Sequence, residues 1–183
     1  MRELLAQYAP EGEVETSDAA WIRDLLEADP DPWFRSIPLH VTASALIVHP
    51  PSRRVLLRWR QRQQAWLLVG GHADPGETDP LAIALREGRE ETGLTDLAPW
   101  PESGLVHAAV VPVQGRGDEP PHEHADLRFA LATARPEEIE PEHPDAALRW
   151  LTVDEARELT AEENVRETMR RVERFLAVSA VGR

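Results

Sequence analysis

Cysteine is absent from the 183 residues, which excludes disulfides, thiolate zinc sites and a cysteine nucleophile. Lysine is absent too, so all 20 basic residues are arginines, and neither a Schiff base nor a lysine general base is available. No stretch approaches the ~20 consecutive apolar residues that a membrane span requires. The opening segment MRELLAQYAPEGEVE lacks an apolar core and a small-residue cleavage site, so a cytoplasmic protein without membrane association is expected. Positive charge is scarce as well. Against 33 acidic residues the arginines leave a net charge of -13, which argues against a sequence-independent nucleic-acid partner, because phosphate contacts need a basic surface. A phosphate-bearing small molecule would have to be received locally, by a metal, arginines or backbone N–H groups. A hydrophobic fraction of 42% is too high for a disordered acidic chain, and the length suits one domain with decoration. The seven histidines remain as possible ligands.

Residues 2–8 predict a short helix, and a longer one is expected from Ser17 as N-cap, with Trp21, Leu25 and Ala28 on one face. The prolines of DPDPWFRSIP (29–38) break regular structure. Residues 1–38 therefore predict a helical extension, and 39–183 the main domain. Strands are expected over 41–48, 54–59, 65–70, 105–113, 122–134 and 149–153. In the 122–134 segment, Ala125, Leu127, Phe129 and Leu131 alternate on one face. Asp79-Pro80 opens a helix with a capping residue and Pro at its first position, and Gly93 closes it. A last helix from about Thr160 to Ala177 carries Val165, Met169, Val172 and Leu176 at helical spacing. The order of elements predicts an α/β protein with a largely antiparallel or mixed sheet.

The chemistry concentrates in GGHADPGETDPLAIALREGREETGL, residues 70–94. Glu87, Glu90 and Glu91 stand at i, i+3 and i+4 and share one helical face. Like charges at that spacing weaken a bare helix by a few tenths of a kcal/mol each. A hard divalent cation such as Mg²⁺ or Mn²⁺ would turn the liability into a site. A solvated acidic face is the competing explanation of any such cluster. The opposite stripe of Leu81, Leu85, Gly88 and Thr92 is expected to face the sheet. Gly70-Gly71 marks a close backbone approach at a strand end, where a free carbonyl could join a metal shell.

This segment resembles the Nudix box, Gly-x5-Glu-x7-Arg-Glu-U-x-Glu-Glu-x-Gly-U with U a bulky apolar residue. Gly71, Glu77, Arg86, Glu87, Glu90, Glu91, Gly93 and Leu94 match it, and the similarity extends from the strand near His40 to RWLTVDEA at 149–156. Two departures stand out: eight residues rather than seven separate Glu77 from Arg86, and Gly88 occupies the apolar position. The resemblance implies a Nudix-like α/β/α sandwich with a mixed central sheet, and metal-dependent hydrolysis of a nucleoside diphosphate derivative. The named substrates range from ADP-ribose and nucleotide sugars to nucleoside triphosphates. It implies Mg²⁺ (or Mn²⁺) held by Gly71, Glu87, Glu90 and Glu91, with Glu77 and Arg86 orienting the loop. Glu90, Glu91 and Glu142 are the catalytic candidates. The base is sought in Glu91 itself or in Glu142 or Asp145 of EIEPEHPDAALRW.

A second polar group, His122, His124, Asp126 and Arg128, falls on one face of an extended strand. An independent transition-metal site, ordinary surface and a substrate-cleft wall are all compatible with it, and the cleft wall is the expectation adopted. Arg128 suits a phosphate through bidentate pairing, and His72 follows the glycines closely enough to approach one. Substrate binding is therefore assigned to His72, His122, His124 and Arg128. Trp33, Phe34, Trp59 and Trp66 are assigned to packing. An isoprenoid diphosphate isomerase on a similar scaffold would use a cysteine acid/base, which this chain lacks. A non-catalytic nucleotide-binding or regulatory module would have eroded carboxylates, whereas all three are present. The extension is a candidate homodimer surface.

Overall fold

The structure, a computed structural model, describes residues 1–101 and 104–181; residues 182–183 of the expected main domain lie outside them. Its spine is a parallel pair of long strands, β1 (Leu39–His49) and β7 (His122–Ala132). They run in register from Leu39↔Glu123 to Val48↔Ala132. Every other pairing is antiparallel. On the far edge of β1 lie β2 (Arg54–Arg60) and β4 (Val69–His72). β2 in turn pairs β3 (Ala65–Leu67) and β8 (Leu148–Thr152). β7 carries β5 (Ala98–Pro99) and β6 (His107–Val113). The expected single strand over 65–70 is thus two short ones, separated at Leu68, because the chain leaves β2 to pair with β1.

The period of two along β1 explains how the sheet is covered. Val41, Ala43, Ala45 and Ile47 join Ala125, Leu127, Phe129 and Leu131 in one core, under helices α1 (Arg2–Gln7), α2 (Gly12–Ala28) and α3 (Pro80–Thr92). On the opposite face the far ends of the strands are apolar. There Leu46, Val48 and Ala130 pack with Val153, Ala156, Val165, Met169, Val172 and Leu176 of α4 (Val153–Leu159) and α5 (Glu163–Val181). The result is a three-layer α/β/α sandwich with a mixed sheet. The near ends of that second face are polar instead: His40, Thr42 and Ser44 stand beside His124, Asp126 and Arg128. α4 and α5 cover the apolar half, and the polar half becomes the floor of a cleft.

Three local expectations are corrected. α2 begins at Gly12 rather than at Ser17, and the Ser17 hydroxyl donates to the Glu13 carbonyl inside the helix. Its buried face is Glu15, Ala19, Ile22 and Leu26, whereas Trp21 is 54% exposed. On α3 the stripe against the sheet is Ile83, Ala84, Gly88 and Thr92, with Leu81 and Leu85 only half-buried. α4 was not anticipated, although Thr152 and Glu155 form a reciprocal capping box at its start. Among the described residues no helix is long and apolar enough to cross a membrane.

At the β6 edge α2 and α5 meet around a buried polar network. Arg171 donates to the Tyr8 hydroxyl (2.9 Å) and the Val106 carbonyl (3.0 Å), and pairs with Glu15. His107 lies alongside, its Nδ1 2.9 Å from the Thr168 hydroxyl. Burial, with Arg128 and Arg171 adding to it, pushes the His107 imidazole down to about 3. The unfolded chain therefore takes up this proton first, and stability is lost as pH falls from about 6.5 towards 3. The expected contribution is about 2 kcal/mol between pH 6.5 and 5. Urea denaturation across that range should show a shallower pH slope for His107→Gln than for the parent chain. Equal slopes would contradict the assignment.

Candidate active site

The local signals of the 70–94 segment fold as their chemistry dictates. The Asp79 side chain accepts from the Leu81 N–H, Pro80 occupies the first helical position, and Gly93 terminates α3 at φ 72°. Gly88 lets α3 settle onto the sheet: a Cβ there would sit 2.9 Å from Leu97 Cδ1 and 3.7 Å from Ile47 Cδ1. A larger side chain there would require the Leu97 side chain to move.

The extra residue between Glu77 and Arg86 is absorbed in the loop ahead of the helix. Arg86 still reaches Glu77 through Nε (3.0 Å) and Nη2 (2.9 Å), and Nη2 also donates to the His72 carbonyl at 2.8 Å. The hydrogen bond from Arg86 holds the Glu77 carboxyl below its ordinary range. Through Nη1, Arg86 also contacts Glu87 (2.9 Å) and Glu90 (2.8 Å). One guanidinium therefore ties the loop, β4 and the acidic helix face together.

The three carboxylates occupy distinct environments. Glu91 is 4% exposed and accepts from the Gly70 N–H (3.1 Å) and Arg60 (2.7 and 3.0 Å), with Arg58 also in contact. Burial raises its affinity for a proton, against the opposing pull of Arg60, Arg58 and the Gly70 N–H. Glu87 is half-buried beside Gly71, and burial raises its pKa too. A Cβ on residue 71 would lie 2.7 Å from the Glu87 carboxylate, so glycine is what leaves the space beside β4 open. Glu90 is exposed and turned to Arg86. Hard carboxylate oxygens around an open backbone cradle fit a divalent ion of the Mg²⁺ or Mn²⁺ kind.

Glu87, Glu91, Gly70 and Gly71 border a cleft of about 820 Å³, and His72, His122, His124, Asp126 and Arg128 line it as well. Glu142 joins through Arg58, whose Nη2 donates to it at 3.0 Å, so that Arg58 bridges Glu142 and Glu91. Asp145 lines the same space. Arg128 is in the wall but only 3% exposed. Its guanidinium bonds Asp126 (2.8 Å), the Asn164 carbonyl and side chain (2.8 Å each) and Thr168 (3.1 Å). The bidentate phosphate partner expected from the sequence is thus largely committed to the protein itself. Asp126 accepts from Thr42 and Ser44 in addition; burial opposes its charge, yet Arg128 and these hydroxyls hold its pKa below the ordinary value.

The histidines form a group larger than the sequence indicated. His40, missed in the sequence, is the in-register partner of His124 across the β1–β7 pair. His72 on β4 approaches it from the other side, Nε2 to Nε2 at 3.0 Å. Burial, reinforced by neighbouring imidazoles, pushes His72 down to about 3. His124 falls to about 4, burial outweighing the Asp126 charge. The signal for His40 was its phase with Thr42 and Ser44, which becomes meaningful only once the parallel register is known.

A three-layer sandwich whose acidic helix faces a glycine-lined strand end defines the class. The pattern of the NUDIX domain matches residues 38–172, and the chain belongs to the Nudix hydrolase family. Among solved structures, E. coli dihydroneopterin triphosphate pyrophosphohydrolase is 21% identical, with a TM-score of 0.58 over 75% of this chain and 95% of that one. A C. elegans Ap4A hydrolase is 20% identical, with a TM-score of 0.56 over 75% and 98%. A Nudix hydrolase from M. smegmatis, RenU, is 25% identical, with a TM-score of 0.52 over 78% and 86%. No curated protein sequence matches significantly.

Proposed function

We propose that this cleft hydrolyses a phosphoanhydride bond in a nucleoside diphosphate derivative or nucleoside triphosphate, with Mg²⁺ or Mn²⁺ held by Glu87, Glu90, Glu91 and the Gly71 carbonyl. The observation that carries it is the convergence of Glu87 and Glu91 with the Gly70–Gly71 backbone at the edge of the 820 Å³ cleft. When bound, the divalent ion supplies charge neutralisation for the diphosphate and an acidified water. In the reaction, the water oxygen forms a new P–O bond, the bridging P–O bond breaks, and the leaving phosphate takes the electron pair.

The proton of that water needs an acceptor with a free lone pair. Glu91 is held by Arg58, Arg60 and the Gly70 N–H, some of which it would exchange for the metal, and this leaves it less suited to taking a proton as well. Glu142 takes one hydrogen bond from Arg58, and its other oxygen lies 3.6 Å from His143 Nε2, which favours it as the base, with Asp145 as the neighbouring carboxylate. Arg58 and Arg60 bring positive charge to the site beyond the metal, and His72, His122, His124 and Arg128 wall the cleft. The solved relatives act on a pterin triphosphate and on Ap4A, both of which contain phosphoanhydride chains of the kind proposed. A panel of dinucleoside polyphosphates, nucleotide sugars, ADP-ribose and nucleoside triphosphates, assayed with and without Mg²⁺ or Mn²⁺, tests the proposal. Metal-dependent release of phosphate or nucleoside monophosphate is expected from at least one class. Silence across the panel with folded protein would refute it.

A further inference from the structure

We infer that His40, His72 and His124 form a nitrogen-donor site for a borderline divalent transition metal, Zn²⁺ foremost, separate from the carboxylates of α3. Ring nitrogens of His40, His72 and His124 all lie within 4.8 Å of one another. His122 stands beside that set of three, its Nε2 3.2 Å from that of His124. Four nitrogens around a tetrahedral zinc at its usual bond length stand about 3.4 Å apart. The observed His40–His72 contact of 3.0 Å is already close to that edge.

The outer ring atoms supply a second, independent observation. His40 Nδ1 is 3.0 Å from the Ile37 carbonyl and His122 Nδ1 is 3.1 Å from the Pro120 carbonyl. A carbonyl can only accept, so both Nδ1 atoms carry the hydrogen, and in His40 the remaining ring nitrogen, Nε2, is the one that faces His72. Metal-ligating histidines are commonly fixed in this way, with the remote N–H tied to a backbone carbonyl. The rings also crowd together, and among the described residues the one ion-pair contact of the four is that of His122 Nδ1 with Glu119 at 3.8 Å. Centroids of His40 lie 5.1, 5.3 and 4.9 Å from those of His72, His122 and His124. Asp126, the nearest buried carboxylate on β7, is engaged by Thr42, Ser44 and Arg128 and does not compete for the role.

The donor chemistry selects the ion. Imidazole nitrogens suit Zn²⁺, Ni²⁺ or Cu²⁺, whereas Mg²⁺ and Mn²⁺ prefer oxygen. A metal here would pin the near ends of β1, β4 and β7, from which the three rings come, at the floor of the cleft.

The test uses the full chain, stripped with chelator and titrated with Zn²⁺ by calorimetry. One equivalent should bind and raise the melting temperature, while Mg²⁺ should not reproduce the shift. A His72→Gln, His124→Gln double variant should weaken Zn²⁺ binding by about 100-fold or more. Co²⁺ added to the unaltered protein should give the intense visible absorption of tetrahedral coordination, which keeps the proposal testable if that variant misfolds. Glu87→Gln should leave Zn²⁺ binding intact, so loss of hydrolysis in that variant leaves this inference standing. No saturable site, weak octahedral Co²⁺ absorption, or a site abolished by Glu87→Gln and untouched by the histidine changes would each overturn it.

Discussion

Glu91→Gln should lower metal-dependent turnover by about 10²–10⁴-fold, the range typical of removing a positioned acid–base or charge-stabilising group. The change is nearly isosteric, yet it removes one negative charge from the proposed metal set. It also places an amide N–H₂ where Arg58, Arg60 and the Gly70 N–H all donate. The readouts are kcat at saturating Mg²⁺, a metal titration, and a thermal melt to report whether the buried site still closes. Glu142→Gln discriminates the roles. If Glu142 takes the proton, this variant loses kcat while metal affinity stays within a few-fold. A Glu91→Gln enzyme retaining kcat within threefold would remove Glu91 from the mechanism.

The second large effect is on stability. Arg171→Leu should destabilise the fold by about 3–5 kcal/mol, the usual cost of leaving a buried partner charge uncompensated. That is a large share of the ~5–15 kcal/mol available to a domain. Glu15 and Arg171 are 4% and 3% exposed, and Tyr8 completes their contact. Arg171 comes from α5 and Glu15 from α2, so the pair ties the N-terminal helices, which precede the matched residues 38–172, to the sandwich. Equilibrium urea unfolding measures the loss. The paired variant Glu15→Gln, Arg171→Met should recover much of it, since removing both charges is far cheaper than stranding one. A loss below 1 kcal/mol for Arg171→Leu would show that the network does not join the helices energetically.

The box helix was legible because its signals are local: Asp79-Pro80 at the start, Gly93 at the end, and three glutamates within one turn. The long spine strands and the burial of Ala125, Leu127, Phe129 and Leu131 were legible for the same reason, a period of two. What failed involved partners distant in sequence. The phase of α2 was obscured by Glu15, a charged residue that is buried only because Arg171, 156 residues away, meets it. Arg128 looked available for phosphate until α5 placed Asn164 and Thr168 against it. His40 carried no local mark at all. The overlooked α4 was different, for its Thr152–Glu155 box stands in the sequence and was legible there.

The parallel β1–β7 pair has a consequence for how the molecule is made. The floor of the cleft joins residues such as Thr42 and Asp126, 84 positions apart, and no hairpin can bring them together. Loop-closure entropy must be overcome before that pairing gives anything in return, so its formation is expected to be slow and late. During synthesis β1 must wait, with one edge unpaired, until β7 has emerged, a period in which association with other chains competes with folding. Once closed, the amides of β1 and β7 should exchange with solvent only through global unfolding. Assembly of the cleft floor and completion of the fold are then a single kinetic event.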